Sequence, residues 1–96
     1  MHVLAVAVDL HLPSCLSLKA KRAVLRPILD GVRARYPVAI AETEWQDTWQ
    51  RSQLGIAAVS SSARVVQEIV DDVERFVWSF PDIEVTDVRR HWLEED

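Results

Sequence analysis

The spacing of apolar residues switches between every second residue and a helical repeat along this chain, and no other feature constrains its fold as strongly. Residues 3–12 alternate between bulky apolar and small or polar side chains, which predicts a strand with one face in a core. From Ser17 to Pro37 the apolar residues recur at helical spacing, and Pro27 inside this helix removes a backbone hydrogen bond. The bulky residues of the strand, which should face the core, are Leu4, Val6, Val8 and Leu10.

The rest of the chain adds three strands and a second helix. Residues 38–45 and 51–60 are predicted to form two strands joined by a polar turn, and residues 83–92 a last strand. Serines 60–62 supply hydroxyl groups to cap a helix whose apolar stripe runs over residues 65–80. The order β-α-β-β-α-β predicts an α+β fold of the ferredoxin-like, split β-α-β type. We expect four antiparallel strands in the spatial order 4-1-3-2, with both helices on one face.

Length and composition set the class of protein. The chain has 96 residues, 49% of them hydrophobic, so we expect one core of modest size and a single domain over residues 1–96. A lone cysteine excludes a disulfide within the chain and a cysteine-based zinc site. The longest apolar run, residues 3–8, is far shorter than the roughly 18 residues of a membrane span, and no basic segment precedes it as in a signal peptide. We therefore expect a cytoplasmic protein without membrane contact, cofactor or metal.

The net charge of −4 is unevenly distributed along the chain. Residues 1–51 carry seven Lys and Arg against five Asp and Glu, whereas residues 52–96 carry four against ten. This balance excludes a basic footprint over the whole surface, of the kind that drives nonspecific binding to nucleic acids. Contact with RNA or DNA would have to come from a local patch.

The predicted topology brings a group of basic residues to one end of the sheet. The end of the first strand, the start of the first helix and the turn between the middle strands should meet there. A helix N-terminus favours an anion, and cations follow it at helical spacing. The candidate anion-binding or RNA-binding residues are His11, Ser17, Lys19, Lys21, Arg22, Arg26 and Arg51. The alternative is that this charged stripe is only the solvated side of a helix.

The four tryptophans are unusual for a chain of this size. Trp45 and Trp49 flank a polar turn, and Trp78 falls opposite the apolar stripe of the second helix. Burying an indole removes roughly 150–250 Å² from water, so tryptophans left outside the core suggest that a partner covers them, by base stacking or protein contact. The candidate docking residues are Trp45, Trp49, Gln50 and Trp78. The alternative is that Trp49 folds over the sheet edge and Trp45 packs beneath the turn.

The sheet face turned away from the helices is predicted to be poor in polar residues. Its predicted members are Val3, Ala5, Ala7, Ala39, Ala41, Gly55, Ala57, Val59, Val88 and Trp92. A fully solvated face would carry more polar side chains, so we expect this one to be covered. A homodimer formed through this face or through the second strand at the sheet edge would cover it. A monomer with small exposed side chains is the alternative.

Signatures of catalysis are weak. Asp9 and His11 should point to the same face, with Ser14, Cys15 and Ser17 nearby, but neither a nucleophile elbow nor an oxyanion motif accompanies them. The three histidines are scattered, and two glycines are too few for a phosphate-binding loop. The sequence therefore predicts a protein that is not an enzyme and a cysteine that is an inert thiol.

Several short segments resemble the YlxP-like proteins, domain-of-unknown-function family 503. They are His11-Leu12-Pro13, Ser17-Leu18-Lys19-Ala20-Lys21-Arg22, Ala41-Glu42, Gln46-Asp47-Thr48-Trp49-Gln50-Arg51 and Leu54-Gly55-Ile56-Ala57. The resemblance implies a small bacterial ferredoxin-like protein with no assigned activity, often encoded beside translation-initiation and ribosome-maturation factors. The family usually has an acidic residue at the position of Ala20, so here only the Ser17 half of a capping box remains.

Together these features predict a dimeric interaction module without catalytic activity. Its partner would be RNA or a ribosomal protein, bound through the basic start of the first helix. The competing interpretation is a structural or protein-docking role for the tryptophan-bearing turn. Regulation by a small ligand at a dimer interface is a third interpretation, which no residue supports.

Overall fold

The computed structural model describes residues 1–95 and contains one four-stranded antiparallel sheet. In chain order its elements are β1 (His2–His11), α1 (Leu18–Arg35), β2 (Ala39–Glu44), β3 (Arg51–Ser60), α2 (Ala63–Trp78) and β4 (Glu84–Glu94). The strands lie in the order β2-β3-β1-β4, which confirms the predicted order read from the other edge. The two parallel pairs of strands, β1 with β2 and β3 with β4, are each connected by one helix, as the split β-α-β arrangement requires.

The core fills the space between the sheet and the two helices. The alternation in β1 buries its four bulky residues as predicted, each at most 2% exposed. α1 and α2 contribute apolar residues at helical spacing. These are Leu25, Ile28 and Val32 from α1, and Val66, Val70, Val73 and Val77 from α2.

Serine hydroxyls cap the start of both helices. The Ser17 Oγ accepts a hydrogen bond from the Ala20 backbone N–H at 3.0 Å, and the Ser62 Oγ accepts one from the Val65 N–H at 3.4 Å. The first turn of α1 contains no acidic residue, so the reciprocal bond of a capping box is missing. α1 continues through Pro27, which lies on its exposed side.

The two helices approach closely at Gly31. A Cβ atom at this position would lie 2.6 Å from the Cζ atom of the Phe76 ring. The Phe76 ring also packs edge-on against Tyr36 and Phe80, with ring centroids 5.9 and 5.2 Å away. A side chain at position 31 would therefore have to displace the aromatic ring of α2, which occupies the space that it would fill.

The structure corrects the predicted facing of β4. Val88 pairs with Val8 and Trp92 pairs with Leu4, so both face the helix side of the sheet and not the open face. The β1–β4 register shifts between Asp9 and Leu10. Such a bulge inserts one residue and reverses the inward and outward alternation of the strand beyond it. The residues of β4 that share the open face are Asp87, Arg89, His91 and Leu93.

An ion-pair cluster fastens β4 to α2. The Arg90 guanidinium lies 2.7 Å from the Asp71 carboxylate and 2.8 Å from the Glu74 carboxylate. The hydrogen bond to Glu74, followed by that to Asp71, raises the pKa of Arg90 above its ordinary value.

Within residues 1–95, neither helix combines the length and the apolar character needed to cross a membrane.

Candidate anion-binding site

Lys21 does not belong to the exposed cations, contrary to the prediction. It is only 1% exposed. Its Nζ donates to the backbone oxygens of Trp45 at 2.5 Å and Thr48 at 2.8 Å, and it lies 2.7 Å from the Glu42 Oε2. Its charge is balanced inside the protein, so Lys21 is not available to an external anion. Its contacts join the first turn of α1 to the β2–β3 turn.

The β2–β3 turn, residues 45–50, is held in a backbone conformation that needs this support. Trp45 has a φ of 66°, in the left-handed region that non-glycine residues rarely adopt. Its carbonyl oxygen accepts hydrogen bonds from both Lys21 and the Thr48 N–H, the latter at 3.0 Å. Glu42, which partners Lys21, also accepts from the Ser52 Oγ at 2.6 Å. The network therefore links α1, β2 and β3 beneath the turn.

Three other cations of α1 are exposed and lie together. Lys19, Arg22 and Arg26 have no carboxylate within ion-pair distance in residues 1–95. Most other basic residues do have an acidic partner. Those with such a partner are Lys21, Arg33, Arg64, Arg75, Arg89 and Arg90. Arg35 and Arg51 also lack such a partner within residues 1–95, but they lie over the Phe76 and Trp45 rings. Three of the five Lys and Arg residues without an acidic partner in this part of the chain are therefore on the first half of α1.

A groove of about 200 Å³ runs between α1 and the turn that follows β2. Leu18, Leu25 and Leu29 line its apolar part. Its basic residues are Lys21, Arg22, Arg26 and Arg33, and its remaining polar residues are Asp30, Glu42 and Gln46. Because Gln46 belongs to the β2–β3 turn, this groove places the turn and two of the exposed cations side by side.

The remaining predicted anion-binding residues are engaged elsewhere. The His11 Nδ1 lies 3.0 Å from the Glu84 Oε2, and the Ser17 hydroxyl caps α1. The Arg51 guanidinium lies over the Trp45 ring, 3.8 Å from its centroid, as in a cation–π contact. The structure therefore brings together Lys19, Arg22 and Arg26, sets Arg51 on the turn, and gives His11, Ser17 and Lys21 internal partners.

Three of the predicted docking residues are exposed tryptophans. Trp45 is 39% exposed, Trp49 is 50% exposed, and Trp78, the last residue of α2, is 59% exposed. Gln50 is half-buried: its backbone oxygen accepts from the Leu12 N–H at 2.9 Å, and its side chain reaches the Pro13 carbonyl. The indoles of Trp45 and Trp49 are not buried beneath the turn or against the sheet edge.

The sequence analysis did not single out two residues at this end of the molecule, although a feature of the sequence pattern pointed to each of them. Glu42 follows Ile40 by two residues in β2, so the alternation that buries Ile40 also directs Glu42 inward. A carboxylate at an inward position implies a buried cationic partner. Leu16, in the loop between β1 and α1, is 72% exposed and lies outside both apolar periodicities.

The open face of the sheet divides into an uncharged half and a charged half. We define the uncharged half as Val3, Ala5, Ala7, Ala39, Ala41, Gly55, Ala57, Val59 and Leu93, which adjoin one another in the strand register. His91, which pairs with Ala5, lies at the border of this half. In the charged half, Arg89 lies 2.8 Å from Asp9 and 2.5 Å from Asp87. The hydrogen bond from Arg89 lowers the pKa of the Asp9 carboxyl. Burial acts to raise this pKa, whereas a hydrogen bond from Gln53 also lowers it.

Cys15 is buried, and this burial raises the pKa of its thiol; the negative charge of Asp82 acts in the same direction. A raised pKa disfavours the thiolate, which is the form of cysteine that reacts as a nucleophile. Within residues 1–95 no group of three or more His, Cys, Asp or Glu side chains is arranged to hold a metal ion.

Comparison with known proteins finds relatives without an assigned function. The family model described as protein of unknown function (DUF503) matches residues 3–90. The chain is 50% identical over 77 residues to the uncharacterized protein YlxP of Bacillus subtilis (strain 168), a match that covers 80% of this chain and 84% of that protein. Among solved structures, it is similar to the de novo designed protein LFR1 1 with ferredoxin fold. That likeness has a TM-score of 0.51 at 16% identity, covers 99% of this chain and 88% of the other, and confirms the predicted fold.

Proposed function

The chain belongs to the DUF503 family of proteins of unknown function, and we propose that it is a non-catalytic RNA-binding module whose contact surface is the exposed side of α1. The observation that carries this proposal is the segregation of charge. Lys19, Arg22 and Arg26 are exposed and lack acidic partners among residues 1–95, in a chain whose net charge is negative.

The spacing of these cations suits an extended polyanion better than a small one. Lys19 and Arg26 are seven residues apart, which corresponds to about 10 Å along a helix that rises 1.5 Å per residue. An RNA backbone offers a phosphate at every nucleotide, so one strand can reach all three cations. Neutralising phosphates releases counterions, and this release makes such binding sensitive to salt.

The non-catalytic part of the proposal rests on how the candidate reactive groups are engaged. The Cys15 thiol is buried with a raised pKa, His11 contacts Glu84, and the Ser17 hydroxyl caps α1. These side chains therefore do not combine into an activated nucleophile with its base, although they are close in sequence.

The proposal is tested by measuring the affinity of the protein for a labelled RNA oligonucleotide by fluorescence anisotropy over a range of salt concentrations. Three phosphate contacts with a single strand predict that the logarithm of the association constant falls with the logarithm of salt concentration with a slope of about −2. The triple variant Lys19→Ala, Arg22→Ala, Arg26→Ala should lose most of the affinity and nearly all of this slope.

Arg64→Ala is the matched control, because Arg64 is exposed but paired with Glu68 on α2. It should leave both the affinity and the salt slope unchanged. Binding that does not depend on salt, or that the triple variant retains, would contradict the proposal.

A second candidate function is docking of another protein. It is favoured by large apolar side chains exposed at the end of the sheet where α1 begins, namely Leu16, Trp49 and Trp78. In this case a protein partner would be lost in Trp49→Ala and retained in Lys19→Ala, and the pattern would be independent of RNA.

A further inference from the structure

The β2–β3 turn is fixed in place by contacts from two other segments of the chain. Lys21 of α1 donates to the Trp45 and Thr48 carbonyls, and the Gln50 carbonyl accepts from Leu12. Trp49 lies between two residues whose backbone oxygens are held in this way. Its backbone is therefore ordered before any ligand arrives, and little conformational entropy remains to be lost on binding.

The same turn presents aromatic surface. The Trp49 indole is half exposed, and it lies in a turn whose neighbouring residues are polar. The Trp45 indole is also exposed, and the Arg51 guanidinium covers one of its faces. Rigid indoles accompanied by arginine are typical of surfaces on which unpaired bases stack.

The turn that carries the two indoles adjoins the cations. Gln46 of the turn lines the same groove as Arg22 and Arg26, and Lys21, which holds the turn, immediately precedes Arg22 in the chain. A strand whose phosphates contact the cations of α1 would therefore pass beside the turn that carries Trp45 and Trp49.

We propose that the ligand of this site is single-stranded RNA, with an unpaired base stacked on the Trp49 indole while the backbone contacts Lys19, Arg22 and Arg26. This inference rests on the proposed function and adds the class of RNA. Bases in a duplex are already stacked on each other and cannot offer their faces to a side chain, whereas the phosphates of a duplex still attract the cations. Preference for a single strand therefore reports the tryptophan contribution separately from the charge contribution.

The test compares a single-stranded RNA of about twelve nucleotides with a blunt duplex of the same sequence, by anisotropy and by quenching of tryptophan fluorescence. The wild-type protein should bind the single strand more tightly and show quenching. Trp49→Ala should lower affinity for the single strand about tenfold or more, on the basis of the measured cost of removing a stacked aromatic side chain. Trp49→Phe should recover most of this loss, because a phenyl ring also stacks.

Trp92→Ala is the matched control. Trp92 is 44% exposed, but it pairs with Leu4 near the opposite end of β1 and so lies away from the turn. It should bind both RNAs like the wild type. Circular dichroism of each variant establishes that the fold is retained, and Trp49→Phe keeps the test valid if Trp49→Ala unfolds.

The outcomes separate the two proposals. If the triple cation variant loses binding while single strand and duplex bind equally and Trp49→Ala has no effect, the stacking inference is overturned and the proposed function stands. If neither RNA binds the wild-type protein, both proposals fail. If Trp49→Ala abolishes binding of a protein partner and leaves RNA affinity unchanged, the indole serves protein docking, and the stacking inference is again overturned.

Discussion

A single buried residue, Lys21, connects the first helix to the β2–β3 turn at the basic end of the molecule. Its position four residues before Leu25 and seven before Ile28 sets it on the same side of α1 as the apolar core residues. In that position the Glu42 carboxylate and two backbone oxygens surround its ammonium group. Removing one partner of a buried ion pair lowers the stability of the folded protein, because the remaining charge stays buried without compensation.

Replacing Lys21 with methionine is expected to lower the free energy of unfolding by about 3 kcal/mol, because the change leaves the Glu42 carboxylate unpaired. The measurement is urea denaturation followed by circular dichroism. Lys19→Met is the matched control, since it makes the same chemical change on the exposed side of the same helix, and it should alter stability by less than about 0.5 kcal/mol. Equal losses in the two variants would show that the Lys21 network does not stabilise the fold.

A pH dependence follows from the ion pair on the open sheet face. The hydrogen bond from Arg89 lowers the folded-state pKa of Asp9, whereas an unfolded aspartate has a pKa of about 3.9. The pair therefore contributes stability above that value and loses it as the pH falls through the lower, folded-state pKa. Asp9→Asn should remove this part of the acid sensitivity in denaturation curves recorded between pH 6 and about pH 2.

Asp72→Asn, on the exposed side of α2, serves as a control for the loss of one carboxylate. It should keep the acid-dependent loss that Asp9→Asn removes. If Asp9→Asn shows the wild-type pH dependence, the Asp9–Arg89 pair is not coupled to folding.

The sequence predicted the exposure of some side chains at the basic end correctly and that of Lys21 wrongly, and the difference has a physical reason. Exposure of Lys19, Arg22 and Arg26 follows from their position on α1 away from the apolar stripe. Lys21 was assigned to the exposed group because lysine is rarely buried, although the periodicity of α1 places it on the stripe. Its partner Glu42 is 21 residues away in the sequence, and only the formation of tertiary structure brings the two together.

At the scale of elements, the contact between the helices depends on the absence of a side chain at Gly31. An alanine there favours a helix by about 1 kcal/mol through its intrinsic propensity. The added methyl group, however, would overlap the Phe76 ring, which lies 2.6 Å from its position. Overpacking of this kind costs about 1–3 kcal/mol, so the steric effect should exceed the gain in propensity.

Gly31→Ala is therefore expected to destabilise the protein, as measured by thermal or urea denaturation. The same substitution in a Phe76→Leu background should be neutral or stabilising, because the smaller side chain leaves space for the methyl group. Destabilisation of equal size in both backgrounds would contradict a direct clash with the ring.

The elements themselves were predictable from the sequence, except at one irregularity. The period of two predicted β1 and β3, and the helical period predicted α1 and α2, because one side of each element packs against the core. The facing of Val88 and Trp92 was wrong because it assumed uninterrupted alternation in β4. The bulge opposite Asp9 and Leu10 depends on strand pairing, which a local pattern does not contain.

At the scale of the molecule, charge and apolar surface are separated. Exposed cations that lack an acidic partner within residues 1–95 cluster on α1, whereas residues 52–96 hold ten of the fifteen acidic residues. Under the proposed function, this distribution would repel an RNA strand from the acidic part and direct it toward α1. The uncharged half of the open sheet face lies on the opposite side of the sheet from both helices, so a ligand bound to α1 would leave it accessible to a second protein molecule.

We propose that this uncharged half pairs with a second copy of the chain, because its small side chains allow two sheets to pack face to face at about 10 Å. Sedimentation velocity at tens of micromolar should show a dimer. Ala57→Arg, which introduces a charge into the face, should yield a folded monomer. Ala34→Arg, an exposed alanine of α1, is the matched control and should remain dimeric. A monomeric wild-type protein at this concentration would contradict the pairing.

The support of the β2–β3 turn by Lys21 has a consequence for the order of events during folding. The turn is anchored by Lys21, which lies 24 residues before Trp45 and 27 before Thr48, so a locally formed hairpin lacks these contacts. If a ligand binds at this end of the molecule as proposed, binding would require that the first helix has already packed on the sheet. A newly made or damaged chain with an unseated helix would present no competent surface, so ligand capture would report the completion of tertiary structure.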